Sequence, residues 1–304
     1  MEFLVELNSV PLELFHHPLL TQHNIRLHIK RDDLLHPVVS GNKLYKLMLN
    51  LEQFKYEHKK TLITFGGAYS NHLHATAFMG KSLGIQTVAI VRGEQLVPLN
   101  PTLKDCTDWG MVIEPVSRGL YRQKQQAPEI QSIIDKYPSP YVVPEGGANR
   151  LGVQGVAQML DGVDQKDLDV VVVACGTGVT MAGLISACEP HVRVIGFPAL
   201  KAEKWMGGEV QGWLDVIACT NNNWALQHGY HFGGYGKTKL ELLEFMDDME
   251  ANYNLLLDPI YTGKAFYGLL KMIENGNIAR GSNLLFVHSG GLQGRRGLST
   301  KSSS

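Results

Sequence analysis

The chain has 304 residues, 44% of them hydrophobic, with a formal net charge of −1 and a pI near 6.9. That length holds one large domain or two modest ones, and a near-neutral charge with no long block of one sign speaks against nucleic acid as a partner and against disorder of the body of the chain. The amino terminus lacks a basic segment followed by an apolar run, and no apolar stretch approaches a membrane span, so neither a secretory signal nor membrane association is expected and the default address is cytoplasmic. In chain order, Leu44, Leu47, Met48, Leu51 and Phe54 follow the spacing of an amphipathic helix. Apolar runs at Thr61–Gly66, Thr87–Val91, Tyr141–Pro144, Asp169–Cys175, Val192–Pro198 and Leu284–His288 read as strands, several of them apolar throughout, as strands covered on both faces should be. Lys237–Tyr253 and Lys264–Asn275 read as helices. The alternation predicts an α/β fold with mainly parallel sheets. The polar tail 299–304 is expected to fray. Cys106, Cys175, Cys188 and Cys219 form no Cys-x-x-Cys pair, so they read as buried free thiols of a reducing compartment.

Three glycine-rich turns each follow a predicted strand: Gly66-Gly67, Gly176-Thr177-Gly178 and Ser289-Gly290-Gly291. Ligands of open α/β sheets gather at the carboxyl ends of strands, where all three turns belong. In Ser40-Gly41-Asn42-Lys43-Leu44-Tyr45-Lys46 a lysine opens a helix. A lysine there is ordinarily a solvated side chain. Held at the positive end of the helix dipole, however, its pKa falls and its neutral amine can attack an aldehyde. Lys46, one turn on, adds a second cation suited to a phosphate. Ser70 in Gly66-Gly67-Ala68-Tyr69-Ser70-Asn71-His72-Leu73-His74 reads first as a helix N-cap. The same place, with Asn71 beside it, would also take a substrate carboxylate. His72 and His74 stand two apart with no third ligand near, which speaks against a metal site. Gly176-Thr177-Gly178-Val179-Thr180 joins a buried strand to a helix, a natural phosphate site, yet it fits neither the dinucleotide fingerprint nor a P-loop. Tyr235 in a glycine-rich loop, Tyr261 before a helix and Ser289 at a strand end each have an ordinary reading as turn chemistry.

Taken together these segments resemble the 1-aminocyclopropane-1-carboxylate deaminase and D-cysteine desulfhydrase family, pyridoxal 5'-phosphate enzymes of fold type II. The resemblance runs from Lys30-Arg31-Asp32-Asp33-Leu34 through Ser40-Gly41-Asn42-Lys43, Ser70-Asn71, Pro144-Glu145-Gly146-Gly147, Gly176–Thr180 and Asp258–Lys264 to Gly291. It implies that Lys43 carries the cofactor, that Lys46 with Gly176, Thr177, Gly178, Val179 and Thr180 binds its phosphate, and that Asn71 stands beside its phenolic oxygen. It implies that Ser70 meets the substrate carboxylate, that Tyr235 and Tyr261 are active-site tyrosines, and that Ser289 lies against the cofactor. It also implies a tryptophan synthase β-like fold of two three-layer α/β/α domains, residues 1–50 with 155–304 forming the larger, cofactor-binding one and 51–154 the smaller, substrate-side one, and a homodimer.

Two positions discriminate within the family. Cyclopropane deaminases resemble Tyr-Glu-Gly-Lys where this chain has Tyr261-Thr262-Gly263-Lys264, and carry leucine where it has Ser289. A carboxylate near the pyridine nitrogen keeps it protonated and strengthens the electron sink, which a hydroxyl does less well. A weaker sink suits a substrate with a good leaving group. The sequence therefore predicts α,β-elimination of a small amino acid, D-cysteine to pyruvate, ammonia and sulfide, with Lys43 as general base. Cyclopropane ring opening, serine dehydration and racemisation on the same fold are the alternatives.

Overall fold

A computed structural model describes residues 9–96 and 98–297. The expectations about the amino terminus and about the tail 299–304 lie outside the described residues.

The strands are β1 (Leu12–Phe15), β2 (Arg26–Lys30), β3 (Thr61–Gly67), β4 (Gln86–Arg92), β5 (Val112–Val116), β6 (Pro140–Val143), β7 (Val170–Cys175), β8 (Arg193–Pro198), β9 (Trp224–Leu226) and β10 (Asn283–Val287). The helices are α1 (Pro18–Gln22), α2 (Asn42–Tyr56), α3 (Asn71–Leu83), α4 (Pro101–Asp108), α5 (Arg118–Gln123), α6 (Pro128–Ile134), α7 (Arg150–Ala157), α8 (Val179–Ala187), α9 (Met206–Val216), α10 (Leu240–Tyr253) and α11 (Thr262–Glu274). They build two sheets, a six-stranded one in the order β1-β2-β10-β7-β8-β9 and a four-stranded one in the order β5-β4-β3-β6. Every pairing is parallel except that of β1 with β2. The six strands read from the sequence are β3, β4, β6, β7, β8 and β10, all interior to their sheets except β6, which is an edge. The short strands β1, β2, β5 and β9 carry weaker signals.

The pleat explains the layers. Along β7, Val170, Val172 and Ala174 join one apolar cluster with Phe266 and Leu269 of α11, while Val171, Val173 and Cys175 join another with Met181, Leu184 and Ile185 of α8. The same alternation sends Leu284 and Phe286 of β10 to the first cluster and Leu285 and Val287 to the second. A sheet buried on both faces needs apolar residues on both, which is why β7 reads as a continuous valine run. In the smaller sheet Ile63, Phe65, Val88 and Ile90 face one side and Ala89 and Val91 the other.

The apolar stripe Leu44, Leu47, Leu51 and Phe54 of α2 packs with Leu62, Ala75, Met79 and Val143 of the smaller sheet's layers. Residue 50 therefore lies in the middle of an unbroken helix. That helix carries Lys43 at its first turn and packs along its length, from Leu44 to Phe54, against the layers of the smaller sheet. All four cysteines are free, three buried and Cys219 half-buried. Burial pushes the thiols of Cys106, Cys175 and Cys188 up to about 12, which makes them inert. No helix among the described residues is long and apolar enough to cross a membrane.

Candidate active site

A cavity of about 370 Å³ opens between the carboxyl ends of the two sheets. Gly67 at the end of β3, Gly176 after β7 and Ser289, Gly290 and Gly291 after β10 all line it, so the three glycine turns meet at one place. The first turns of α2, α3 and α8 contribute Asn42 and Lys43, Asn71, and Thr180 to its wall. Three positive helix ends and two lysines thus face one volume, which suits a ligand with anionic groups.

Lys43 is placed by its neighbours in the chain. Gly41 caps α2 with φ +65° and ψ −152°. A Cβ there would lie 2.0 Å from the carbonyl oxygen of Ser289. The amide of Asn42 donates to that same oxygen at 3.2 Å and that of Gly41 to the carbonyl of Asp32 at 2.8 Å, so the helix start is clamped between two turns. Lys43 Nζ donates to Asn42 Oδ1 at 2.6 Å, and Asn42 Nδ2 donates to Thr180 Oγ1 at 2.8 Å. Burial lowers the Lys43 amine to about 8, partly opposed by the charge of Asp258.

Lys46 is 3% exposed. Its stem lies against Gly147, where a Cβ would come within 3.0 Å of Lys46 Cβ, which explains the glycine pair after Glu145. Among the described residues its ammonium has neither a hydrogen bond nor an ion pair, and burial together with the charge of Lys43 holds its pKa well below the ordinary value. A buried cation without an acceptor, turned to a cavity, calls for an anion. Across from it, Gly178 caps α8 with φ +79°, and the amides of Thr177 and Gly178 make no hydrogen bond to other described residues. Two open amides, a helix end, the Thr180 hydroxyl and an unpartnered ammonium form a donor set for a phosphate. With Lys43 as an amine for an aldehyde, these residues fit pyridoxal phosphate.

Ser70 is the N-cap of α3, its Oγ accepting from the amide of Leu73 at 3.3 Å. Its own proton remains free for the cavity it lines. Asn71 Oδ1 accepts a short hydrogen bond from Gln293 Nε2, which fixes the amide so that Nδ2 is the end left to donate. Gln293 is held in turn by Thr102 Oγ1, which donates to Gln293 Oε1 at 2.8 Å. The Tyr261 ring packs on Gly176, where a Cβ would lie 3.1 Å from Tyr261 Cε1. Burial and the neighbouring Tyr235 push its phenol well above the ordinary value, so it keeps its proton. The rings of Tyr235 and Tyr261 meet edge to face at 6.1 Å.

All the residues to which the family resemblance assigns a catalytic or cofactor-binding role line the cavity except Gly178 and Val179. Those two sit beneath the turn, Gly178 against Val210 and Trp213 and Val179 in the core. Thr262 is fully buried and its hydroxyl is turned away: it donates to Asp258 Oδ2 at 2.7 Å and accepts from the Asp258 amide at 2.9 Å.

Asn42, His72, Arg92 and Glu145 also line the cavity; Asn42 and Glu145 lie in segments that carry the family resemblance, but none of the four is assigned a role in the site from the sequence. Arg92 is the register partner of Gly67, a pairing that no spacing in the sequence reveals. Glu145 is already paired with Lys124 at 2.6 Å. His72 Nε2 meets Thr64 Oγ1 at 2.9 Å while that hydroxyl donates to Val143 O at 2.8 Å. The hydroxyl has one proton, so Nε2 is the donor and Nδ1 a bare acceptor, without a partner among the described residues. Burial and the charges of Lys43 and Lys46 hold His72 at about 3, hence neutral. His74 points elsewhere, onto Asp105 at 2.9 Å.

Comparison with known proteins gives a consistent picture. The family model described as pyridoxal-phosphate dependent enzyme matches residues 7–290. The chain is 31% identical over 314 residues to the D-cysteine desulfhydrase of Klebsiella pneumoniae, covering 94% of this chain and 93% of that protein. It is 31% identical over 293 residues to the bifunctional D-cysteine desulfhydrase/1-aminocyclopropane-1-carboxylate deaminase, mitochondrial, of Arabidopsis thaliana, covering 88% of this chain and 73% of the relative. Among solved structures, a homologue of 1-aminocyclopropane-1-carboxylate deaminase superposes with a TM-score of 0.83 at 26% identity, covering 98% of this chain and 94% of the other.

Proposed function

We propose, from the premise that the chain belongs to the family of pyridoxal-phosphate dependent enzymes, that it is a lyase eliminating the β substituent of a small amino acid, D-cysteine yielding pyruvate, ammonia and sulfide. The observation that carries this reading is the Lys43–Asn42–Thr180 chain, which joins an amine of lowered pKa to the phosphate turn across the cavity. The named relatives include both activities: one is a D-cysteine desulfhydrase, another carries both, and others at 29–31% identity are described as putative 1-aminocyclopropane-1-carboxylate deaminases, so the choice between the two rests on the site residues.

When bound, pyridoxal phosphate supplies the electron sink that stabilises negative charge at the substrate α-carbon. Lys46, Thr180 and the amides of Thr177 and Gly178 would hold the phosphate, and Asn71 Nδ2 would donate to the phenolic oxygen. The free proton of Ser70 Oγ and the start of α3 hold the substrate carboxylate. Lys43 Nζ takes the α-proton as general base; with a pKa of about 8, a useful share of it is neutral near physiological pH. Tyr261, protonated throughout, donates to the departing β group, and Tyr235 shields that end of the cavity.

Two features support elimination over ring opening. Glu145, the carboxylate in the cavity wall, is neutralised by Lys124. Ser289 and Thr262 place only hydroxyls where the family's ring-opening members carry leucine and glutamate, and the Thr262 hydroxyl is spent on Asp258. Deamination of 1-aminocyclopropane-1-carboxylate remains the second reading, favoured by the bifunctional relative. Assaying the purified protein with D-cysteine, L-cysteine, D- and L-serine and the cyclopropane substrate decides between them. Sulfide from D-cysteine with no deamination of the cyclopropane upholds elimination; the reverse result establishes the second reading.

The same proposal includes a division into residues 51–154 and the remainder, supported by the two separate sheets. It includes a cytoplasmic address, supported by four unpaired thiols, and a homodimer, supported by family resemblance alone.

A further inference from the structure

Lys264 stands in the first turn of α11 and is 1% exposed. Its Nζ donates to three backbone carbonyls, Ala199 O at 3.1 Å, His231 O at 2.9 Å and Gly234 O at 2.9 Å. An ammonium has three protons, so the set is complete. No carboxylate among the described residues pairs with it. Asp258, the acid whose charge reaches it, spends both oxygens on the amides of Ile260, Tyr261 and Thr262 and on the Thr262 hydroxyl. A buried positive charge is thus balanced by carbonyl dipoles alone. That is the ligand set of a monovalent cation, for which rings of backbone carbonyls replace the hydration shell.

The carbonyls belong to two separate segments. Ala199 follows the end of β8, and its amide bonds back to Cys175 O at 2.9 Å beside the phosphate turn. His231 and Gly234 bracket a tight turn in which Phe232, Gly233 and Gly234 have φ of +52°, +99° and +121°. This turn aims two carbonyls inward; its two glycines take up positive φ without steric cost, while Phe232 at +52° carries a cost in backbone energy that surrounding contacts must offset. Tyr235 is the next residue and lines the cavity. Without a charge at their focus, the three oxygens would repel one another and the turn would lose what gathers it.

We propose that Lys264 Nζ is a tethered monovalent cation filling a carbonyl cage, that this occupancy positions Tyr235 at the cavity, and that the cage, emptied by truncating the lysine, takes up free ammonium or potassium. Lys264 is a positioning residue, since it acts through the 231–234 turn. The cage stands on geometry alone; its effect on turnover rests on the function proposed above, so stability and turnover are read separately.

The test compares wild type, Lys264→Ala and Lys264→Met in ammonium, potassium and choline chlorides at equal ionic strength, choline being too large for the cage. Melting temperature of the cofactor-free and cofactor-loaded proteins is one readout and sulfide release from D-cysteine the other. Wild type behaves alike in all three salts. Lys264→Ala in choline melts several degrees lower and turns over about tenfold more slowly, the scale expected when buried carbonyls lose their donors. Ammonium or potassium restores both. Lys264→Met, whose side chain fills the space without charge, is not restored. The proposal fails if Lys264→Ala is unaffected in choline, if neither cation relieves its defect, or if Lys264→Met is relieved equally. Should Lys264→Ala not fold in choline, its refolding yield in ammonium against choline is the same test, and equal yields overturn the proposal. Restored melting in a protein that releases no sulfide even as wild type leaves the cage standing and removes the substrate assignment instead.

Discussion

Asn42 Oδ1 stands 2.6 Å from Lys43 Nζ and accepts its hydrogen bond, while the nitrogen of the same amide donates to Thr180 Oγ1 at 2.8 Å. One side chain therefore sets the position of the reactive amine relative to the phosphate turn, which belongs to a different part of the chain. Replacing Asn42 by leucine removes both contacts at nearly constant volume. Two hydrogen bonds at about 1 kcal/mol each correspond to roughly a thirtyfold loss in affinity for pyridoxal phosphate. Titrating the cofactor-free variant with pyridoxal phosphate measures it, and an unchanged dissociation constant would show that the bridge is incidental.

Lys43 also sets a pH dependence. Its amine must be neutral to bond to the cofactor, and its pKa lies near 8 in place of 10.5. The rate at which cofactor-free protein captures pyridoxal phosphate should rise with pH and level off above a midpoint near 8. Asn42→Asp places a carboxylate beside the ammonium, favours the charged form and moves that midpoint upward. Stopped-flow absorbance over a pH series reads both; a wild-type midpoint near 10.5 contradicts the burial argument.

The same shift is a statement about stability. Between pH 8 and 10.5 the unfolded chain holds the Lys43 proton that the folded protein has lost, so the stability of the cofactor-free protein rises with pH across that window. Below it the penalty of burying the charge is present in full. Lys43→Met removes the penalty, so the cofactor-free variant should melt above wild type at pH 7, with the gap narrowing as pH rises. Calorimetry at two pH values checks this, and a variant that melts below wild type at pH 7 refutes it.

Gln293 locks the amide of Asn71, and Thr102 locks Gln293. Gln293→Leu frees Asn71 to rotate its oxygen into the cavity. The loss of one orienting bond, about 1 kcal/mol, should lower kcat/KM roughly fivefold. Thr102→Val should act in the same direction and more weakly, because it loosens Gln293 without removing it. Steady-state kinetics of the two variants give the ranking, and a stronger effect of Thr102→Val would argue against this order of control.

Gly41 has no room for a side chain and sits in a backbone region that other residues avoid. Gly41→Ala drives a Cβ to within 2.0 Å of Ser289 O, so the start of α2 must move. A loss of at least about 3 kcal/mol is expected from strain and overpacking together. Urea unfolding of the variant measures it, and a wild-type midpoint would mean that the clamp on Lys43 is soft.

The sequence alone determined all of the interior strands but β2, and the chemical inventory of the site. Val170–Cys175 is legible because a strand covered on both faces must be apolar at every position, and the alternation of its residues between two clusters is the physical counterpart of that run. Glycine turns after strands mark the cavity because ligands approach backbone there. Strand β2 was not legible, since Arg26-Leu27-His28-Ile29-Lys30 has charged ends and Lys30 is buried only by virtue of its bond to Asp32 at 2.6 Å. Edge strands β5 and β9 are largely half-buried or exposed and so lack a periodic signal. The tertiary structure decided which groups meet. Asn42 reaches Thr180 across 138 positions and Gln293 reaches Asn71 across 222, while Lys264 gathers carbonyls 30 to 65 positions away. Hydropathy periods describe which face a residue turns to the core. They carry no record of which polar atom answers which, because a hydrogen bond is fixed by position and direction in space rather than by spacing along the chain.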